Sequence, residues 1–173
     1  MTFPTVKAEG LHSAAPTENY KTTRMREWAS IIEDEYPSLA PYKVTLLAHL
    51  AQECGALSED CGWIVGSPKS DYGWAIGIAQ WHIPHRYPDW MKKSGFRYSR
   101  DGKYVATVRE KFYADHPEML NHFNQLRKYL GEMQSCYDKR KDIPTCIRRW
   151  NPGDGNYYQN VHSRRSTVLA YLN

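Results

Sequence analysis

Val44, Leu47, Leu50 and Ala51 recur at helical spacing in an apolar run that stops on a carboxylic acid, Glu53. A helix with such a stripe must be covered by other elements of a core. An acid at its end therefore sits where solvent is being excluded. Desolvation disfavours the charged form of a carboxyl group, so Glu53 is placed to keep its proton near neutral pH. That is the property a general acid needs. The plainer alternative is that Glu53 is only the polar end of an amphipathic helix.

The rest of the chain reads as mostly helical. Met25, Trp28, Ile31 and Ile32 keep helical spacing behind Thr22-Thr23, which reads as an N-cap, and Pro37 closes that segment. Pro41 suits the first turn of the helix that delivers Glu53, and Gly55 lets the chain turn away after it. Residues 56–81 are rich in Gly, Ser and Asp with scattered aromatics, the composition of a loop-and-strand lip. Arg100-Asp-Gly102, between Phe96/Tyr98 and Tyr104/Val105, reads as a small hairpin. A long helix is expected from Pro117, with Leu120, Phe123, Leu126, Leu130 and Met133 on one side. Asp142 with Pro144 opens a shorter one ending near Trp150, and a last helix carries Tyr157, Val161, Val168 and Leu169. The expected class is mainly α (α+β), with a small β or loop lip over a substrate cleft. Residues 1–20 read as an extended arm and 21–173 as one domain.

Several function classes drop out on composition. No stretch approaches the roughly 18–20 apolar residues of a membrane span. Zinc-finger spacing, a helix-turn-helix cue and a phosphate loop are all missing, so nucleic acid is not the expected partner. Metal and cofactor are expected to be none, and the protein a monomer. The net charge of +4 gathers late, in Lys139-Arg-Lys141, Arg148-Arg149 and Arg164-Arg165, which suits either attraction to a polyanion or a solvated basic face. Thirteen Tyr and six Trp supply aromatic surface suited to lining a cleft, although the same residues are ordinary core material. Four cysteines, at 54, 61, 136 and 146, allow three pairings. Local 54–61 and 136–146 disulfides suit an extracellular working place, and free buried thiols suit a reducing one.

Gln52-Glu53-Cys54, Gly77-Ile-Ala-Gln80, Pro117-Glu118, Tyr129-Leu130, Trp150-Asn-Pro-Gly153 and Tyr157-Tyr-Gln-Asn-Val161-His-Ser-Arg164 follow one another in an order that resembles the soluble lytic transglycosylases and goose-type lysozymes of the lysozyme-like superfamily. Gln52-Glu53-Cys54 resembles their Glu-Ser step, and Gly77-Ile-Ala-Gln80 their Gly-Leu-Met-Gln. Pro117-Glu118 and Tyr129-Leu130 fall where that family starts a helix with Pro-Glu and carries Tyr-Leu on it. Trp150-Asn-Pro-Gly153 resembles their Ala-Tyr-Asn-Ala-Gly block, and Tyr157-Tyr-Gln-Asn-Val161-His-Ser-Arg164 the following Tyr-x-x-x-Val-x-x-Arg stretch. The resemblance covers roughly residues 40–172. It implies a lysozyme-like helical domain that cleaves the β-1,4 bond between N-acetylmuramic acid and N-acetylglucosamine in peptidoglycan.

On that resemblance Glu53 would protonate the departing oxygen. Asp71, by its spacing to Gly77, matches one of the two aspartates of the goose-type pattern, where it would activate water. Glu59 and Asp60 are its substitutes if the register shifts, and the plainer reading of Asp71 is a turn residue. The second aspartate is replaced by His82, which could position water or sugar. Gln80 would hold an N-acetyl group or a backbone group. Trp150 stands where the family has a tyrosine whose hydroxyl reaches the catalytic acid, and Tyr157 or Tyr158 is expected to supply that hydroxyl. Asn151 shapes the turn before Pro152. The Trp150–Tyr157 gap is shorter than the family's corresponding stretch. Asp71 tips the balance towards hydrolysis, whereas the sufficiency of one glutamate allows a 1,6-anhydro product.

The expected place of action is the bacterial wall, periplasmic or extracellular. Met1 to Gly10 lacks the charged and apolar regions of a secretion signal, so either a signal has been removed or the protein leaves its cell by another route, as phage lysis enzymes and virion-borne enzymes do. Other readings stand beside this one: a non-catalytic wall-binding or structural virion protein, a chitin- or chitosan-cleaving enzyme, and a nucleic-acid-associated basic domain.

Overall fold

The computed structural model of this chain describes residues 18–54 and 71–173. Gly55, Glu59, Asp60, Cys61 and most of the expected N-terminal arm lie outside them. The described residues are mainly helical with one small sheet, an α-rich α+β fold. They fall into two compact units, and the boundary between Gln125 and Leu126 lies within one helix. No described helix is long and apolar enough to cross a membrane.

One unit holds residues 18–54 and 126–173. Helix α1 runs over Glu18–Glu35 and buries Met25, Trp28 and Ile32. It starts four residues before Thr22, so Thr22-Thr23 is inside the helix and not its N-cap. The capping signal there is local, and burial of Arg24 and Met25 carries the helix through it. A 3₁₀ turn over Ala40–Tyr42, with Pro41 in it, leads into α2, Lys43–Glu53. Every residue of α2 from Thr45 to Ala51 is buried, so the expected one-sided stripe has become a central helix. The helices α7 (Ile143–Arg148), α8 (Tyr157–His162) and α9 (Arg165–Leu172) complete this unit, with α8, α9 and α1 packed on α2. The single expected last helix is thus two. Val161 and Val168 are buried, while Leu169 is 41% exposed.

The other unit, residues 71–125, carries the sheet. Strands β1 (Ala75–Ile76) and β2 (Trp81–His82) pair antiparallel around the Gly77-Ile-Ala-Gln80 turn. Short helices α3 (Ile83–Arg86) and α4 (Pro88–Lys93) follow, then α5, Gly102–Asp115. The hairpin expected at 96–105 is not there. Asp101 instead N-caps α5, its carboxylate accepting from the Lys103 N–H. Asp-Gly serves a turn or a helix start equally well. Val105, Val108 and Phe112, buried on one face of α5, decide it for the helix.

The long helix expected from Pro117 is interrupted. A 3₁₀ segment, Pro117–Leu120, ends at extended Asn121, and α6 then runs over His122–Arg140. Asn121 Oδ1 accepts from the N–H of Phe123 at 2.8 Å and of Asn124 at 3.2 Å, which restarts the helix. Leu126, Leu130 and Met133 of α6 are buried as expected. The cysteines are oxidised where they are described: Cys136 of α6 is bonded to Cys146 of α7, and Cys54 is disulfide-bonded too.

Candidate active site

Glu53 is the last residue of α2, and its side chain is only 15% exposed. Burial pushes its pKa up to about 7, against a smaller downward pull from the Tyr157 hydroxyl, which donates to Oε1. The negative end of the α2 dipole also disfavours a carboxylate there. Near neutral pH the group therefore exists in both forms, as an acid that must give and regain a proton requires.

Tyr157 reaches Glu53 because of the chain before it. The Asp154 carboxylate accepts from the Asn156 N–H at 2.9 Å, and the Tyr157 N–H donates to Asp154 O at 3.1 Å. These tight turns start α8 at Tyr157 and set its ring, almost fully buried, against α2. Burial and the neighbouring Glu53 charge hold the phenol protonated far beyond neutral pH. It is a permanent donor. Of the two tyrosines expected to supply a hydroxyl, Tyr157 is the one that does. Tyr158 lies instead under the Arg148 guanidinium, 5.0 Å from its ring centre.

One member of this cluster was not foreseen. His49, one helical turn before Glu53, is fully buried; its Nε2 lies 2.9 Å from the Tyr157 hydroxyl and its Nδ1 2.8 Å from the Tyr129 hydroxyl. Burial lowers its pKa to about 3, so the ring is neutral, and its 4.0 Å approach to Glu53 is not an ion pair. Trp150 packs edge-on against both rings, at 5.1 Å from His49 and 5.4 Å from Tyr129. It thus walls the cluster. Arg164, last of the Tyr157/Val161/Arg164 spacing, donates through Nε to Gln52 Oε1 at 2.6 Å, beside the acid. Asn151 is exposed and holds turns through its backbone: its N–H donates to Arg148 O, and its carbonyl accepts from Asp154. A titratable side chain at i−4 from Glu53, inside an otherwise apolar run, was the available signal for His49.

The remaining candidates belong to the 71–125 unit. Asp71 accepts from the N–H of Gly73 through Oδ1 at 2.9 Å and of Ala75 through Oδ2 at 2.8 Å. Both oxygens hold the turn that leads into β1, and Arg109 braces it by donating to Gly73 O at 3.0 Å. Gln80, at φ +50°, returns its amide to Gly77 O at 2.9 Å across the hairpin turn. His82 is half-buried 4.5 Å from the His85 ring; burial and that neighbour lower its pKa against a smaller opposing pull from Asp71. Gln125, fully buried and unforeseen, staples the turn by accepting from Ile78 N–H and donating to Met119 O. Among the described residues no group of three or more His, Cys, Asp or Glu could hold a metal ion.

Gly77 is required in that turn. Its φ is +76°, and a Cβ would lie 2.8 Å from Gln125 Oε1 and 2.9 Å from the Trp81 ring. Gly77→Ala should therefore cost about 2–4 kcal/mol, combining left-handed strain with overpacking. Urea unfolding followed by tryptophan fluorescence measures it, and a change below about 0.5 kcal/mol, the ordinary range for surface substitutions, would mean the turn relaxes freely. No family model matches the chain, and no curated protein and no solved structure is significantly similar to it.

Proposed function

We propose that this protein is a peptidoglycan-cleaving glycosidase of the lysozyme-like kind, acting on the bacterial wall with Glu53 as its general acid. The observation that carries the reading is Glu53 itself: a carboxyl group at the end of a buried helix, shifted to about 7 by desolvation. A non-catalytic protein that had merely kept the fold gains nothing from such a group, whose ionisation costs stability. The ordered motifs supply the substrate class, and the exposed basic residues of 139–141 and 148–149 suit a polyanionic wall.

The chemistry needs only one carboxylate. Glu53 donates its proton to the glycosidic oxygen as the bond from the muramic acid C1 breaks. The resulting carboxylate, held by the Tyr157 hydroxyl, takes a proton from the 6-hydroxyl of the same sugar. That oxygen attacks C1 and closes a 1,6-anhydro ring, and Glu53 is left protonated for the next turnover. Asp71 supports this route over hydrolysis, because each of its oxygens is already engaged by a backbone N–H of its own turn.

Digestion of purified peptidoglycan, with mass spectrometry of the released muropeptides and chitin in parallel, tests the reading. We expect 1,6-anhydro products from peptidoglycan, abolished by Glu53→Gln and retained by folded Asp71→Asn. Free reducing ends that vanish in Asp71→Asn would make Asp71 a water-activating base instead. Release from chitin alone would move the substrate, and no release from either polymer would remove the enzymatic reading.

A further inference from the structure

The hydroxyls around Glu53 form a single file: Tyr129 to His49 Nδ1, His49 Nε2 to Tyr157, and Tyr157 to Glu53 Oε1. Each tyrosine has one hydrogen to give, and a neutral imidazole has one donor and one acceptor nitrogen. The direction of the whole file therefore follows from its far end. Tyr129 has two acceptors within reach, Nδ1 at 2.8 Å and Leu46 O at 3.5 Å. The longer contact is at the limit of a hydrogen bond, so Tyr129 donates to Nδ1. The imidazole proton then sits on Nε2 and is donated to the Tyr157 oxygen. Tyr157 is left with Glu53 Oε1 as the acceptor for its own hydrogen.

We propose that His49 is a positioning residue for the acidic proton of Glu53: as the Nε2–H tautomer it commits the Tyr157 hydrogen to Oε1 and confines the Glu53 proton to Oε2. This deepens the glycosidase reading and rests on it for its catalytic meaning. Oε1 meets a donor in both protonation states, so a proton placed there would set two hydrogens against each other. The transferable proton is thereby held on one oxygen before substrate arrives. The same hydrogen bond steadies the carboxylate after the proton has left, opposing the burial that would make Glu53 too weak an acid.

The other groups facing the file leave its direction unchanged. Glu132 on α6 and Asp154 before α8 act on Tyr129 and Tyr157 and only keep those phenols protonated. Arg164 is spent on Gln52, and Trp150 offers a ring edge to His49. From α1 and α9, among the described residues, no charged side chain shifts the imidazole.

Nitrogen-15 NMR of the full-length protein reads the tautomer directly, and carbon-13 labelled glutamate reads the Glu53 titration; neither depends on activity. We expect Nε2–H and a bare Nδ1 for His49 at every pH across the Glu53 titration. Tyr129→Phe, which frees Nδ1, should mix the tautomers. Tyr157→Phe, which removes the donor to Oε1, should raise the Glu53 midpoint by about one unit, as loss of a hydrogen bond to a carboxylate implies, and His49→Leu, which leaves Tyr157 with Glu53 as its acceptor, should raise it less. An Nδ1–H tautomer, or a Glu53 midpoint indifferent to Tyr157→Phe, overturns the proposal. If His49→Leu does not fold, the wild-type tautomer and Tyr129→Phe still decide. The expected tautomer in a protein that cleaves no glycan would defeat the glycosidase reading alone, whereas glycan cleavage with an Nδ1–H ring would defeat this one alone.

Discussion

Glu53→Gln is expected to slow glycan cleavage by about 10²–10⁴-fold, the usual worth of a positioned general acid, and at the same time to make the protein more stable at alkaline pH. The amide is nearly isosteric and still accepts from Tyr157, so the fold should persist while the transferable proton is gone. The stability gain follows from linkage. The carboxyl has an ordinary value of 4.5 and a folded value of about 7, so the native state binds its proton more tightly than the unfolded chain does. Below pH 4.5 both states are protonated and no penalty exists. As pH rises from 4.5 to 7 the wild type loses stability, and above 7 it carries a cost of about 3 kcal/mol. Glutamine escapes that cost. Paired denaturation curves of wild type and variant at pH 4 and pH 8 should diverge only at the higher pH. Equal stability at both, together with wild-type cleavage rates, would remove Glu53 from the role of buried acid.

Acid should unfold the protein through the opposite behaviour of His49. Its folded value of about 3 lies below the ordinary 6.5, so between those values the unfolded chain binds a proton that the native core refuses. Stability attributable to this residue is complete above pH 6.5 and is lost as pH falls towards 3. By pH 4 the loss should be about 3 kcal/mol. His49→Gln has no such proton to accept, so the gap between variant and wild type should narrow or reverse on acidification from pH 7 to pH 4. Parallel curves over that range would show that the imidazole is not held neutral. The two losses run in opposite directions and overlap, so their sum stays nearly level between about pH 4.5 and 7, and the steep loss comes below pH 4.5, where His49 alone still titrates.

Much of the helical framework could be read before folding was considered. The spacing of Val44, Leu47, Leu50 and Ala51 marked α2 and placed Glu53 at its end, because burial of a stripe depends only on helix period. Asp142 with Pro144 marked the start of α7 for a similarly local reason. The errors came where one short signal serves two structures. Asp101-Gly102 suits a hairpin turn or a helix start, and only the buried face of α5, with Phe112 against Tyr87 and Trp90, chose between them.

The acid itself was legible, and ordered resemblance pointed to a tyrosine hydroxyl near it. What the chain alone determined was that a buried helix ends on a carboxyl group, since side-chain period and the cost of desolvation are properties of neighbouring residues. The partners of that carboxyl were decided only by tertiary structure. His49 reads in the sequence as one polar residue in an apolar run, and nothing local distinguishes a satisfied core histidine from one that orders a proton. Its bonds to Tyr129, 80 positions away, and to Tyr157, 108 positions away, exist because α6 and α8 bring those hydroxyls to α2. Hydrogen-bond direction is a property of the closed file, and no segment of the chain contains it.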